Sequence, residues 1–285
     1  MRGFIQGVLL YLICLGSTQA GKLLVIPADG SHWMGMKPLV EELGRRGHEV
    51  VVVIPEESLS MGPSEHTTTL TFPVPFTKAQ LQEDLNVALQ RMMLSDLSTD
   101  LAKFQNFLSS LKFLSKFTMM TETLLHNKEL LQKLKDWDFD ALITDPFQPV
   151  GVIVGEYLSI PSIYVQANMP CGAEYLATNC PTPSSYVPQR DTHYNDHMTF
   201  WQRSINFFRT MVQPLACATL YEYADVVATR FLQREASVVE IMSRAALWLN
   251  RVDFTFEYPH PQMPNMIMIG GFDHRTPKPL PAVSF

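Results

Sequence analysis

Short unbroken apolar runs alternate along this chain with stretches whose apolar residues recur every three or four positions. Lys22-Leu23-Leu24-Val25-Ile26-Pro27 is the first run, and Glu49-Val50-Val51-Val52-Val53-Ile54-Pro55 is the second. Continuous apolarity of this length marks a strand buried on both faces, as in a parallel sheet. Between them, Met36 to Arg46 carries Leu39, Val40 and Leu43 at helical spacing, with Gly47 as a stop. The opening therefore reads as a βαβ unit with a right-handed crossover. Thr67 to Phe72 alternates Thr with Leu and Phe and is ended by Pro73 and Pro75, which predicts a third strand near an edge.

The alternation continues. From Lys78 to about Lys135 the pattern is helical, with Leu101, Phe104, Phe107, Leu108, Leu111, Phe113, Leu114 and Phe117 forming a wide apolar face. Such a stripe reads as core, as a wall of a lipophilic pocket, or as a membrane-surface contact flanked by Lys103, Lys112 and Lys116. Phe139 to Thr144 is a buried strand, Gly151 to Leu158 the helix after it and Ser162 to Val165 the next strand. Met169 to Arg190, rich in prolines, reads as a long ordered loop. Helices are expected over His197 to Val212 and Ala224 to Ser243, and short strands over Ala246 to Leu249 and Met266 to Ile269. The prolines of Tyr258 to Pro264 predict an extended connector, and Gly271 to Phe285 reads as the start of a linker. The fold class is α/β, a Rossmann-like doubly wound parallel sheet.

Composition narrows the function. A chain of 285 residues with 46% hydrophobic residues can bury a substantial core, and its net charge of −6 offers no cationic field for nucleic acid. A small or apolar substrate fits better. Residues 1–20 have Arg2, an apolar run from Val8 to Leu15 and small residues before Gly21, the pattern of a cleaved secretory signal. Cys171, Cys180 and Cys217 would then remain in an oxidising compartment; one disulfide with one free thiol, or none, is compatible with that count.

Candidate chemistry sits after the strands. Asp29-Gly30-Ser31-His32-Trp33 follows the first strand, and Asp145 before Pro146 follows the Phe139 to Thr144 strand. In open α/β folds ligands gather beyond the carboxyl ends of the strands. An imidazole titrating near ~6.5 can take a proton from a hydroxyl, and a carboxylate can fix its tautomer. His32 and Asp145 could be such a pair; taken singly, His32 could cap a helix and Asp145 could shape a turn. Dinucleotide, Walker-loop, nucleophile-elbow and zinc-protease signatures do not occur in the sequence. His193 and His197 have helical ligand spacing, but their polar surroundings read as a solvated loop.

These segments, with Arg46 to Val52, Thr144 to Phe147, Ser185 to Pro188, Asp196 to Phe200 and Met263 to Met266 closing on Gly270-Gly271, resemble the amino-terminal half of a vertebrate UDP-glucuronosyltransferase of the first family. The resemblance implies the acceptor-binding domain of a GT-B glycosyltransferase, spanning 21–270, with 271–285 a truncated linker. The nucleotide-sugar domain and the carboxy-terminal membrane helix are missing from this stretch. It implies His32 as base and Asp145 as its carboxylate, with Ser31, Trp33, Phe104, Phe107 and Phe147 near substrate. The implied reaction transfers glucuronic acid from UDP-glucuronic acid to small lipophilic acceptors by inverting displacement, without metal or other cofactor, in the lumen of the endoplasmic reticulum. Such enzymes serve xenobiotic and lipid metabolism. The alternative is a non-catalytic module that binds acceptors or forms homo- or hetero-oligomers with full-length relatives and regulates them. After Gly271 the chain departs from the family pattern, with Phe272-Asp273-His274.

Overall fold

The computed structural model describes residues 20–271 apart from 95–115, 168, 190, 191, 193, 254 and 256. Seven parallel strands form one sheet in the order β3-β2-β1-β4-β5-β6-β7. They are β1 (Lys22–Ile26), β2 (Glu49–Pro55), β3 (Thr68–Phe72), β4 (Ala141–Thr144), β5 (Ser162–Gln166), β6 (Leu247–Asn250) and β7 (Met266–Met268). As expected, β3 is an edge strand. The chain starts in the middle, works outward to β3, then returns to the other side of β1 to lay down β4. That reversal makes the gap between the loops after β1 and β4 the topological switch point of the sheet.

Strand residues point alternately to the two faces, and both faces are covered. Leu24, Ile26, Val51, Val53 and Leu142 join one core cluster; Val25, Val50, Val52, Ile54 and Ile143 join the other. Helix α1 (Ser31–Arg45) supplies Trp33, Met36 and Val40 to the second cluster. The first is covered by α3 (Lys128–Asp136), α4 (Pro149–Leu158), α5 (Ala173–Thr178), α6 (Phe200–Leu232) and α7 (Val238–Ser243). Helix α2 (Lys78–Leu94) follows β3, and residues 116–126 are also helical.

Four details differ from the sequence expectation. Helix α1 begins five residues earlier, at Ser31, because Gly30 at φ 74° and ψ −136° turns the chain from strand to helix in one step. The helical stretch through Lys135 is interrupted at Asn127, whose side chain accepts a hydrogen bond from Leu130 N–H and starts α3 afresh. The proline-rich span from Met169 contains a 3₁₀ turn at Pro170–Gly172 and then α5. The two helices expected after His197 are divided elsewhere: α6 runs unbroken for 33 residues through Pro214, and the chain breaks at Gln233 instead. A Thr199 and Gln202 capping box fixes its start. Cys171 is bonded to Cys217, which ties the 3₁₀ turn to α6, and Cys180 is a buried free thiol. No helix among the described residues is long and apolar enough to cross a membrane.

Candidate active site

Two adjacent strands bring the site together. Ile26 pairs with Thr144 in the parallel register of β1 and β4, so the segments that follow them emerge side by side. Thr144 Oγ1 donates to Ile26 O at 2.6 Å, and α4 crosses so closely that a Cβ on Gly151 would lie 1.9 Å from that same hydroxyl. The carboxyl edge is thereby held tightly where Asp145 leaves it.

Asp145 and His32 meet there. Asp145 is 2% exposed, and its Oδ2 lies 2.7 Å from His32 Nδ1. Its Oδ1 accepts from the Phe147 backbone N–H at 2.9 Å. Both carboxylate oxygens are thus engaged. An ionised carboxylate only accepts, so in this contact Nδ1 is the donor, and a neutral imidazole with its proton there keeps the lone pair on Nε2. The His32 side chain is 20% exposed, against 2% for Asp145. Phe147 lies against the imidazole, ring centroids 4.4 Å apart, and Phe117 meets Phe147 edge-on at 6.1 Å. The imidazole is therefore restrained by a carboxylate at one nitrogen and an aromatic face along its plane.

The loop that presents His32 is braced by Asp29, a carboxylate with no assigned role in the sequence reading. Its Oδ1 accepts from Gly30 N, Ser60 N and Ser60 Oγ, and its Oδ2 from Ser58 Oγ and Leu59 N. Four of these five bonds tie the start of α1 to the loop after β2. Ser58, Leu59 and Ser60 lie about thirty positions away along the chain, so no local motif announces them.

The other sequence-selected residues are placed variously. Ser31 is exposed at the first position of α1, next to His32. The Trp33 indole is 3% exposed in the core beneath α1, its Nε1 without a hydrogen-bond partner among the described residues. Phe104 and Phe107 lie outside the described residues, as does His193. His197 is exposed in the segment before α6, and no group of three or more metal-ligating side chains occurs among the described residues. Behind Asp145, burial first, and then the negative charges of Glu174, Asp145 and Asp225, push the Tyr221 hydroxyl well above the ordinary phenol range. Tyr221 therefore stays neutral beside those acids. Hollows of about 910 and 510 Å³ flank the C-terminal half of α6, but neither is lined by His32 or Asp145. Chemistry, not concavity, marks the site.

The comparisons with known proteins agree with one another in sequence. The model of the family described as "UDP-glucoronosyl and UDP-glucosyl transferase" matches residues 21–284. UDP-glucuronosyltransferase 1-2 of Rattus norvegicus is 39% identical over 280 residues, covering 98% of this chain and 52% of that protein. UDP-glucuronosyltransferase 1A1 of Homo sapiens is 39% identical over 282 residues, covering 97% and 52%. The chain thus spans about half the length of the curated relatives it matches. Among solved structures, the calicheamicin glycosyltransferase CalG4 matches with a TM-score of 0.47 at 13% identity, covering 89% of this chain and 53% of that one. With nearly its full length matched by the family model, the chain belongs to the UDP-glucuronosyl and UDP-glucosyl transferase family.

Proposed function

We propose that this chain is the acceptor-binding portion of a UDP-glucuronosyltransferase, and that His32 is the base which activates the acceptor. The observation that carries the proposal is the 2.7 Å contact between His32 Nδ1 and buried Asp145 at the switch point of the sheet. In the mechanism, an acceptor hydroxyl donates to His32 Nε2. As its oxygen attacks the anomeric carbon of the sugar, its proton passes to Nε2 and the bond from that carbon to UDP breaks, inverting the centre. The resulting imidazolium is stabilised by Asp145, whose Oδ2 already faces Nδ1. Phe147 and Phe117 give the neighbourhood an apolar character suited to a lipophilic alcohol or phenol. The donor sugar nucleotide would be positioned by a second domain, as expected for a family whose curated members are about twice as long.

Residues 1–20 act in this reading as a secretory leader, and the body resides in the lumen of the endoplasmic reticulum. The Cys171–Cys217 disulfide supports that placement, because such bonds persist in oxidising compartments.

The test joins this chain to the remaining half of the human 1A1 relative and measures glucuronide formation from UDP-glucuronic acid and a phenol. His32→Gln should lower kcat by ~10²- to 10⁴-fold while acceptor binding persists. Parental turnover in the variant would overturn the role of His32. Transfer from UDP-glucose but not from UDP-glucuronic acid would overturn the sugar assignment and leave the base in place.

A further inference from the structure

His32 stands in the least supported turn of its helix. It is the second residue of α1, whose N-cap is Gly30, and that first turn has neither a capping side-chain hydrogen bond nor an acidic residue. An uncapped helix end frays, and fraying here would carry the imidazole away from Asp145. The bond from Met34 N–H to Gly30 O at 3.1 Å starts from the same glycine. What holds Gly30 therefore holds His32.

Asp29 and Ser60 do so from outside the helix. Ser60 Oγ accepts from Gly30 N–H at 3.0 Å and donates to Asp29 Oδ1 at 2.7 Å, so one hydroxyl bridges the two residues. Ser60 N–H also donates to Oδ1, at 3.1 Å, while Leu59 N–H and Ser58 Oγ donate to Oδ2 at 2.8 and 3.0 Å. Asp29 is 7% exposed, which keeps water from competing for these bonds. The loop that supplies them is itself anchored. It continues β2, which pairs with strands on both sides, and Ser58 Oγ accepts from Ser60 N–H and Met61 N–H at 3.2 and 2.8 Å. On its other side Glu57 accepts from Lys78 N–H at 2.9 Å, at the start of α2.

We infer that Asp29 and Ser60 are positioning residues for the base: acting through Gly30, they hold His32 Nδ1 at Asp145 Oδ2. This rests on the role proposed for His32. The two carboxylates then divide the work, Asp145 supplying charge to the imidazole and Asp29 supplying its place. A displacement of about 1 Å at a reacting group costs as much as ~10²-fold in rate. An amide at position 29 would offer one accepting oxygen to donors that now share two, and would turn its NH₂ toward the rest.

Two readouts test the inference. In the chain joined to the remaining half of the human 1A1 relative, Asp29→Asn should lower kcat by ~10²-fold and Ser60→Ala by about 3- to 10-fold, with the KM for the phenol and for UDP-glucuronic acid within about twofold of the parent. In the chain by itself, solvent exchange of the His32 Nδ1 proton, followed by ¹⁵N-edited NMR, should quicken at least ~10-fold in Asp29→Asn. Replacing Cys171 and Cys217 by Ser removes stability on the opposite face of the sheet from α1 and should move neither readout. The positioning role is overturned if either readout stays at the parental value in Asp29→Asn, or if the disulfide variant moves both as far. If Asp29→Asn does not fold, Ser60→Ala decides by the same criteria, because the bonds from Ser58, Leu59 and Ser60 N–H to Asp29 remain. If the joined parent transfers no glucuronic acid, the reading of the reaction fails, and proton exchange alone decides the role of Asp29.

Discussion

Replacing Asp145 with Asn keeps the shape of the side chain and removes its charge, which isolates what the carboxylate does for His32. Asp145 now accepts two hydrogen bonds on two oxygens, from His32 Nδ1–H at 2.7 Å and from Phe147 N–H at 2.9 Å. An amide has one oxygen and one NH₂. If the oxygen keeps Phe147, the NH₂ faces His32 and drives the ring to the tautomer protonated on Nε2, which cannot accept a proton from substrate. If the oxygen keeps His32, NH₂ confronts the N–H of Phe147, and the imidazolium formed during reaction has lost its counter-charge. A hydrogen bond to a charged group contributes about 1.5–3 kcal/mol, and with tenfold in rate per ~1.4 kcal/mol this sets a floor of ~10- to 150-fold on the loss in kcat. Complete tautomer inversion would carry the loss toward the ~10⁴-fold limit of general-base catalysis. The assay is glucuronide formation by the chain joined to the remaining half of the human relative, with ¹⁵N spectra of the His32 ring reporting which nitrogen is protonated. The KM for UDP-glucuronic acid should hardly move. Turnover within about twofold of the parent would refute the argument, because the buried carboxylate would then contribute nothing to the base.

Three further outcomes follow from the fold. Gly151→Ala should destabilise the protein by about 1–3 kcal/mol in denaturant titration, because its Cβ would meet Thr144 Oγ1 at 1.9 Å and Thr144 is buried; Gly35→Ala, whose clash is with the end of the flexible Arg251 side chain, should be nearly neutral. Replacing Cys171 and Cys217 together by Ser should cost about 2–4 kcal/mol for a bridge of sequence separation 46, and adding reductant to the parent should reproduce the loss. Burial raises the Asp225 carboxyl above its usual range, opposed by hydrogen bonds from Val238 N–H and Ser237. A raised carboxyl binds its proton more readily when folded, so its contribution to stability falls as pH rises through the carboxylate range and the penalty is complete at neutral pH. The stability of Asp225→Asn relative to the parent should therefore rise with pH over that range and be no lower than the parent's at pH about 7; a relative stability that falls with pH would contradict this.

The strands and the placement of His32 and Asp145 just beyond them were legible because both depend on local pattern. Val50 to Ile54 is buried on both faces and contains no alternation to misread, and His32 and Asp145 each follow such a run. Less was legible where distant partners decide. Helix α6 looked like two helices because Pro214 interrupts the pattern and Asn206 is polar, yet Asn206 is satisfied by the segment at Ser184 to Gln189, and the Cys171 bond holds the far side of the proline. The short helix α5 was hidden by flanking prolines and sits just after that same bond. Asp29 gave no signal because Ser58 and Ser60 belong to the other end of a βαβ unit.

His32 and Asp145 are 113 residues apart in sequence and neighbours only because β4 docks beside β1. The intervening excursion, which carries α1, β2, β3, α2 and α3, begins and ends at that one seam. Insertions, deletions or exchanges of side chains within the excursion can therefore reshape what the surface recognises while leaving His32 and Asp145 in register. Evolution could diversify ligand choice in such an architecture without rebuilding its chemistry.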